Sequence, residues 1–262
     1  ANSFVIGDRA TDVELAKNLG CRAILLQEDT NMLKPKSAGG EAACEGLEDI
    51  CVLATKDWDR VAEFLFAGER KAEVRRTTKE TDIALTLNLD GTGKTQIDTG
   101  VGFFDHMLDG FARHGLFDLT VTVKGDLDVD CHHTIEDTGI VLGTAIKEAA
   151  ADKKGIRRYG SCILPMDEVL VLCAIDLSGR AYYSSDAEFS CEKIGDMSSE
   201  MVREFFYAVA VNSGMNLHFK VLTNGNSHHL AEAMFKSFAK ALDQALSRDE
   251  RITDVLSTKG SL

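Results

Sequence analysis

An α+β body of two like halves, preceded by a short α/β fragment, is the fold class predicted by this 262-residue sequence. Three observations carry it. Up to about residue 66, short apolar strands alternate with amphipathic helices, the mark of βα units on a parallel sheet. The texture then changes across "AGERKAEVRR" (67–76), which sets a boundary near Arg70. Beyond it, the order strand, helix, strand, helix runs twice, and the last helix of each run opens on His-His-x-x-Glu.

The elements follow in order. "SFVIG" (3–7) reads as a strand, "DVELAKNLG" as a helix stopped by Gly20, and "RAILLQ" as a second strand. A polar loop through "NMLKPKSAGGEAACEG" leads to another strand–helix pair, "VLAT" and "DWDRVAEFLF". These units, residues 1–66, are too few to close a domain of their own. Ala1 falls inside a strand, which suggests a fragment whose upstream portion is absent. In the body, residues 70–262, the first half (roughly 70–160) has "DIALTLNL" as a half-buried alternating strand and "DGTG" as its turn. "GFFDHMLDGFARHG", "FDLTVTV" and "HHTIEDTGIVLGTAIKEAA" complete it as helix, strand and long helix. The second half (roughly 161–262) repeats the order with "EVLVLCAIDL", "SSEMVREFFYAVAVNSG", "NLHFKVL" and "HHLAEAMFKSFAKALDQAL".

Composition narrows the function. A formal net charge of −13 argues against general affinity for nucleic acid or an anionic membrane. An anionic small molecule would need a local basic cluster instead. Seven cysteines, an odd number with no C-x-x-C pair, fit thiols in a reducing cytoplasm. No signal peptide or bilayer-spanning apolar run is visible.

Four of the seven histidines form the two matched pairs, His132–His133 and His228–His229, with Glu136 and Glu232 at one constant offset. At 100° per residue, His132 and Glu136 share a helix face while His133 points away, and the same holds for His228, Glu232 and His229. Adjacent histidines therefore suit two ions, or one ion and another partner. With His106 and His218 the set divides into two groups of three nitrogens and one carboxylate. Such donors suit Mn, Fe, Co, Ni or Zn with positions left open for substrate. Taken alone, His106 or His218 would be read as an ordinary hydrogen-bonded histidine. His114 fits a helix C-terminus.

Basic residues are sparse. Arg157 and Arg158 lie in "GIRRYG", Arg180 in "LSGRAYY", Lys236 in "AMFKSF", and Ser257, Thr258 and Lys259 in the closing "LSTKGSL". Lys236, four residues after Glu232, can pair with it or meet a phosphate. Arg157 reads as solvent-exposed.

The blocks "GFFDHMLDGFARHGLFD", "DCHHTIEDTG", "LPMDE", "DLSGR", "NSHHLAEAMFK" and "STKG" together resemble the imidazoleglycerol-phosphate dehydratase family, lyases of histidine biosynthesis. The resemblance covers about 70–262. It implies duplicated half-domains with helices sandwiched between two β-sheets, two Mn²⁺ per active site, and a large homo-oligomer with sites shared between subunits. It implies His106, His132, His133, Glu136, His218, His228, His229 and Glu232 as ligands. Substrate contacts would be Glu80, Arg158, Arg180, Lys236, Ser257, Thr258 and Lys259. Where plant members commonly carry Gln, this chain has Gly110. Residues 1–66 resemble the C-terminal part of a haloacid-dehalogenase-type histidinol phosphatase, with Asp8 and Asp12 in its last motif. The aspartyl nucleophile motif has no counterpart, so no phosphatase activity is expected.

The implied reaction removes a proton beside an imidazole ring and expels the neighbouring hydroxyl. Two divalent ions, one per ring nitrogen, would make the ring an electron sink. Glu80 is the expected base. A dinuclear metallohydrolase and a metal-dependent assembly protein are the competing readings. The first would want a bridging carboxylate, and the second closed coordination spheres.

Overall fold

The computed structural model describes residues 3–33, 46–66 and 70–262. The chain divides into two compact units, Ala1–Gly68 and Glu69–Leu262. Most of the polar loop expected after the second strand, Cys44 included, lies outside the described residues.

The first unit runs β1 (Phe4–Gly7), α1 (Ala10–Leu19), β2 (Arg22–Leu25), β3 (Cys51–Ala54) and α2 (Trp58–Phe66). Its strands pair in parallel in the order β1–β2–β3. α1 ends at Gly20, whose left-handed φ of 67° lets its N–H reach the carbonyls of Ala16 and Lys17. Val13 and Ala16 pack on Ala23, Leu25, Leu33 and Leu47. The βα units expected to be too few to close a domain thus gather a small core of their own. Asp12 is occupied at the start of α1, where it accepts the Arg9 N–H at 3.0 Å.

The second unit opens with β4 (Lys71–Thr77), β5 (Thr81–Asn88), β6 (Thr95–Asp98), α3 (Gly102–Gly115), β7 (Asp118–Gly125) and α4 (His132–Ala149). It continues with β8 (Tyr159–Met166), β9 (Val169–Asp176), β10 (Tyr182–Ser185), a β11 (Lys193–Ile194) and β12 (Met197–Ser198) hairpin, α5 (Met201–Ser213), β13 (Asn216–Thr223) and α6 (Ser227–Leu246). Two four-stranded sheets result, β4–β5–β7–β6 and β8–β9–β13–β10. In each, the first two strands form an antiparallel hairpin and the third pairs in parallel with the fourth. The duplication is therefore fuller than strand, helix, strand, helix. The sequence reading missed β6, β10 and the β11–β12 hairpin, all short, and also β4 and β8, these two for a reason. β4 turns Arg76 inward beside Ala72 and Val74, which blurs its apolar rhythm, and β8 carries Pro165, which an edge strand tolerates.

Period-two burial aims one face of each sheet at the helices: Ile83, Leu85 and Leu87 on β5, and Val169, Val171, Cys173 and Ile175 on β9. α4 covers the first sheet and meets α5; α6 covers the second and meets α3. The helices thus lie between the sheets. Gly139 and Gly143 allow α4 to approach α5 closely, because added Cβ atoms would fall 2.8 and 2.7 Å from the Phe205 and Val209 carbonyl oxygens. Phe111, Phe205, Phe206, Phe235 and Phe238 fill the centre, with ring centroids as close as 4.7 Å between Phe206 and Phe235. Such ring pairs add about 0.5–1.5 kcal/mol each beyond simple burial.

Candidate metal centre

Both His-His-x-x-Glu motifs open a helix. Asp130 accepts the His132 N–H at 2.7 Å to start α4, and Asn226 accepts the His228 and His229 N–H groups to start α6. Local sequence therefore places each pair in a first helical turn, at the rim of the sheets. The i, i+4 partners meet as helical geometry requires: His132 Nε2 lies 3.6 Å from Glu136, and His228 Nε2 lies 3.3 Å from Glu232.

Around α6 a metal-competent group forms. His106, reaching over from α3, joins His228 and Glu232, and one ligating atom from each lies within 4.8 Å of the others. Glu232 is buried, and its second oxygen takes the Lys236 ammonium at 2.6 Å. Burial raises the Glu232 pKa, but Lys236 outweighs it, and the carboxyl sits below its ordinary value. Around α4 no such group forms among the described residues. Aligning the halves on β7 and β13 explains this, because the α5 position matching His106 holds Glu204, which pairs with Arg203. The even division into three nitrogens and one carboxylate is thus not what one chain presents.

The second histidine of each motif turns away from the first and finds a carboxylate. His133 Nδ1 is 3.0 Å from Asp126, and His229 Nδ1 is 3.0 Å from Glu168. The bond to Asp126 is the largest cause holding the His133 pKa above its ordinary value, and the charge of Glu80 adds to it. Glu168 is drawn down to about 2, first by the Asn226 N–H it accepts at 2.6 Å. Asp167, Glu168 and His229 form a second group of potential donors. His218 stands apart on β13, on the face turned from the helices, stacked on Tyr182 at 5.3 Å.

Glu80 is exposed in the β4–β5 turn, where its N–H bonds to Thr78 Oγ1, and does not belong to a strand. Arg158 is committed to structure: Nε and Nη2 grip Asp176 at 2.7 and 3.1 Å, and Nη1 holds the Leu256 carbonyl at 2.8 Å. That bond draws the Ser257–Lys259 tail to the same end of the sheet. Arg180 is there too, since neighbouring Gly179 abuts Leu262. Lys236 is elsewhere. Arg158 N–H bonds the Ala245 carbonyl near the end of α6, so Lys236 lies about 13 Å up the helix at 1.5 Å per residue. Arg157 is half-exposed, 3.9 Å from Asp249. His114 sits in the last turn of α3, but burial and then Lys236 push its pKa down, against a charged role at the dipole. At Gly110 a Cβ would meet no atom within 4 Å, so the fold does not demand glycine there.

The sequence reading passed over three carboxylates that matter here: Asp126, Glu168 and Asp176. Glu168 lay within the quoted "LPMDE", but only the folded turn brings it to His229. Among the described residues, no helix is long and apolar enough to cross a membrane.

Comparison with known proteins agrees with this geometry. Residues 99–242 match the imidazoleglycerol-phosphate dehydratase family, and residues 1–48 match a HAD-hydrolase-like family. The chain is 56% identical over 260 residues to the histidine biosynthesis bifunctional protein HisB of Bacteroides fragilis, covering 99% of this chain and 67% of that protein. It is 64% identical over 193 residues to the imidazoleglycerol-phosphate dehydratase of Lachnoclostridium phytofermentans, covering 74% of this chain and 98% of the relative. The crystal structure of the dehydratase from Staphylococcus aureus superposes with a TM-score of 0.63 at 39% identity, over 68% of this chain and 99% of that one. With its two half-domains, its paired His-His-x-x-Glu helices and these relatives, the chain belongs to the imidazoleglycerol-phosphate dehydratase family of hydro-lyases, with a HAD-like fragment at its N-terminus.

Proposed function

We propose that this hydro-lyase of histidine biosynthesis completes a dimetal site between copies of itself and there converts imidazole glycerol phosphate to imidazole acetol phosphate. The observation that carries the reading is the group His106, His228 and Glu232. The donor chemistry fits two Mn²⁺ per site, since the candidates are imidazole nitrogens and carboxylate oxygens with no thiolate in either group. His106, His132, His133, Glu136, His218, His228, His229 and Glu232 would hold them. Bound there, the cations would supply Lewis acidity that stabilises negative charge on a nitrogen heterocycle.

The chain's own groups do the rest. Glu80, exposed in its turn beside His133, takes the proton from the carbon next to the ring. Arg158, Arg180, Ser257, Thr258 and Lys259 hold the phosphate at one end of the second sheet, and Lys236 faces the substrate from the α6 group. A second copy is required for two reasons. Among the described residues the α4 pair finds no third ligand in its own chain, and His218, stacked on Tyr182, lies on an outer sheet face that also exposes Ile163. A copy seated on that face would bring His218 into a shared centre. The six described cysteines are unpaired, which suits a cytoplasmic enzyme, and the charge of −13 argues against nucleic acid as a general partner.

The test is metal analysis of the assembled protein paired with an assay for imidazole acetol phosphate. Two Mn²⁺ per chain, with activity lost on chelation and restored by Mn²⁺, is the expected result. Full turnover by protein stripped of metal would overturn the reading.

A further inference from the structure

The pseudo-repeat places two glutamates in one structural position. Glu80 directly precedes β5 at Thr81, and Glu168 directly precedes β9 at Val169, each in the turn of the first hairpin of its half. Their employment differs. Glu168 bonds His229 Nδ1 at 3.0 Å and also accepts the Asn226 N–H. In the first half the matching histidine, His133, is bonded by Asp126, which follows β7. The residue matching Asp126 after β13 is Asn224, and it faces away, donating to the Glu188 carbonyl and accepting from Gly225. Each motif thus has one carboxylate on Nδ1 of its second imidazole, drawn from a different element, while Asp167 lies 3.6 Å from Nε2 of His229, on the ligating side. The other Asp126 oxygen, Oδ1, is buried without a hydrogen-bond partner among the described residues, so nothing competes for that carboxylate.

We propose that Asp126 and Glu168 are equivalent positioning residues, each fixing an imidazole through Nδ1 so that Nε2 is presented as a ligand, and that Asp126, by taking His133, leaves Glu80 free for the substrate. The inference rests on the dimetal reading above. A carboxylate on the far nitrogen sets the tautomer and raises the basicity of a ligating histidine. One ancestral turn position has therefore split into two jobs: an anchor in the second half, a reactive group in the first.

The test measures Mn²⁺ binding to the full assembled chain by equilibrium dialysis with metal analysis, without reference to turnover. Asp126→Asn and Glu168→Gln should each weaken one of the two Mn²⁺ ions by about 10- to 100-fold, the scale for such outer partners, and leave the other ion unchanged. Glu80→Gln should leave both ions bound as in wild type. Glu168→Gln retains Oε1 for the Asn226 N–H, so the unfolding midpoint of the metal-free protein should barely move. Wild-type affinity for both ions in Glu168→Gln, with or without a lower midpoint, overturns the assignment. So does a loss in Glu80→Gln as large as that in Asp126→Asn. Wild-type protein that binds no Mn²⁺ would instead overturn the dimetal reading, and the assignment with it.

Discussion

The two halves of the larger unit share strand order, helix order and histidine motif, yet they present opposite outer faces. β4, β5 and β7 turn Lys71, Glu73, Arg75, Asp82, Thr120, Thr122 and Lys124 outward. β8, β9 and β10 turn Ile163, Pro165, Leu170, Leu172 and Tyr182 outward. Inner faces are alike because both must pack on helices. Outer faces are free to diverge, and an apolar one marks a surface made to be covered. The lesson is that duplication preserved the architecture and left asymmetry to the surface and to single carboxylates.

The strongest way to break the comparison is to charge the apolar face. Leu172→Lys should abolish assembly and, with it, turnover. Ala84→Lys, its counterpart on β5 in the polar sheet, should leave both intact. Light scattering of the two variants decides it. Next in size is Glu80→Gln, expected to lower kcat by about 10²-fold or more, the scale of general acid–base catalysis. A kcat close to wild type would remove Glu80 from the chemistry.

Stability effects follow. Gly143→Ala should cost about 1–3 kcal/mol, because the new methyl meets the Val209 carbonyl and the core is already full. The matching residue of α6 is already Ala239, so denaturant titration of this variant measures how far the two helix pairings differ. Asp137, buried in α4, accepts Arg76 at 3.1 Å and Thr81 Oγ1 at 2.5 Å, tying α4 to the turn that carries Glu80. Its counterpart in α6 is Ala233. Asp137→Ala should cost about 2 kcal/mol, less than a fully buried broken pair because Arg76 still reaches water.

The smallest effect belongs to the polar face. Arg75, then Thr77, hold the Asp82 carboxyl below its ordinary value. A depressed folded pKa contributes stability above the unfolded value, and that contribution is lost as pH falls through the folded one. Asp82→Asn should therefore flatten part of the acid-side slope: it lowers stability slightly near neutrality, where the contribution is present, and changes little at acid pH, where it is already lost, as unfolding curves at both pH values would show.

Much was legible beforehand because it is local. The helices at 132 and 227, the shared face of each His and Glu four apart, the alternating strands β5 and β9, and the boundary near residue 70 follow from periodicities that neighbouring residues set by themselves. Lys236 on Glu232 belongs to the same class, being one helical turn away.

What the linear order could not decide is which distant groups meet. His106 reaches His228 only because α3 packs on α6, and His218 is parted from both because alternation along β13 sends it to the outer face. Asp126 and Glu168 become partners of histidines only once a loop and a hairpin turn are laid beside the helix starts. Backbone periodicity is a short-range property readable from adjacent residues, whereas the pairing of side chains far apart in sequence depends on how layers stack, which only the folded chain determines.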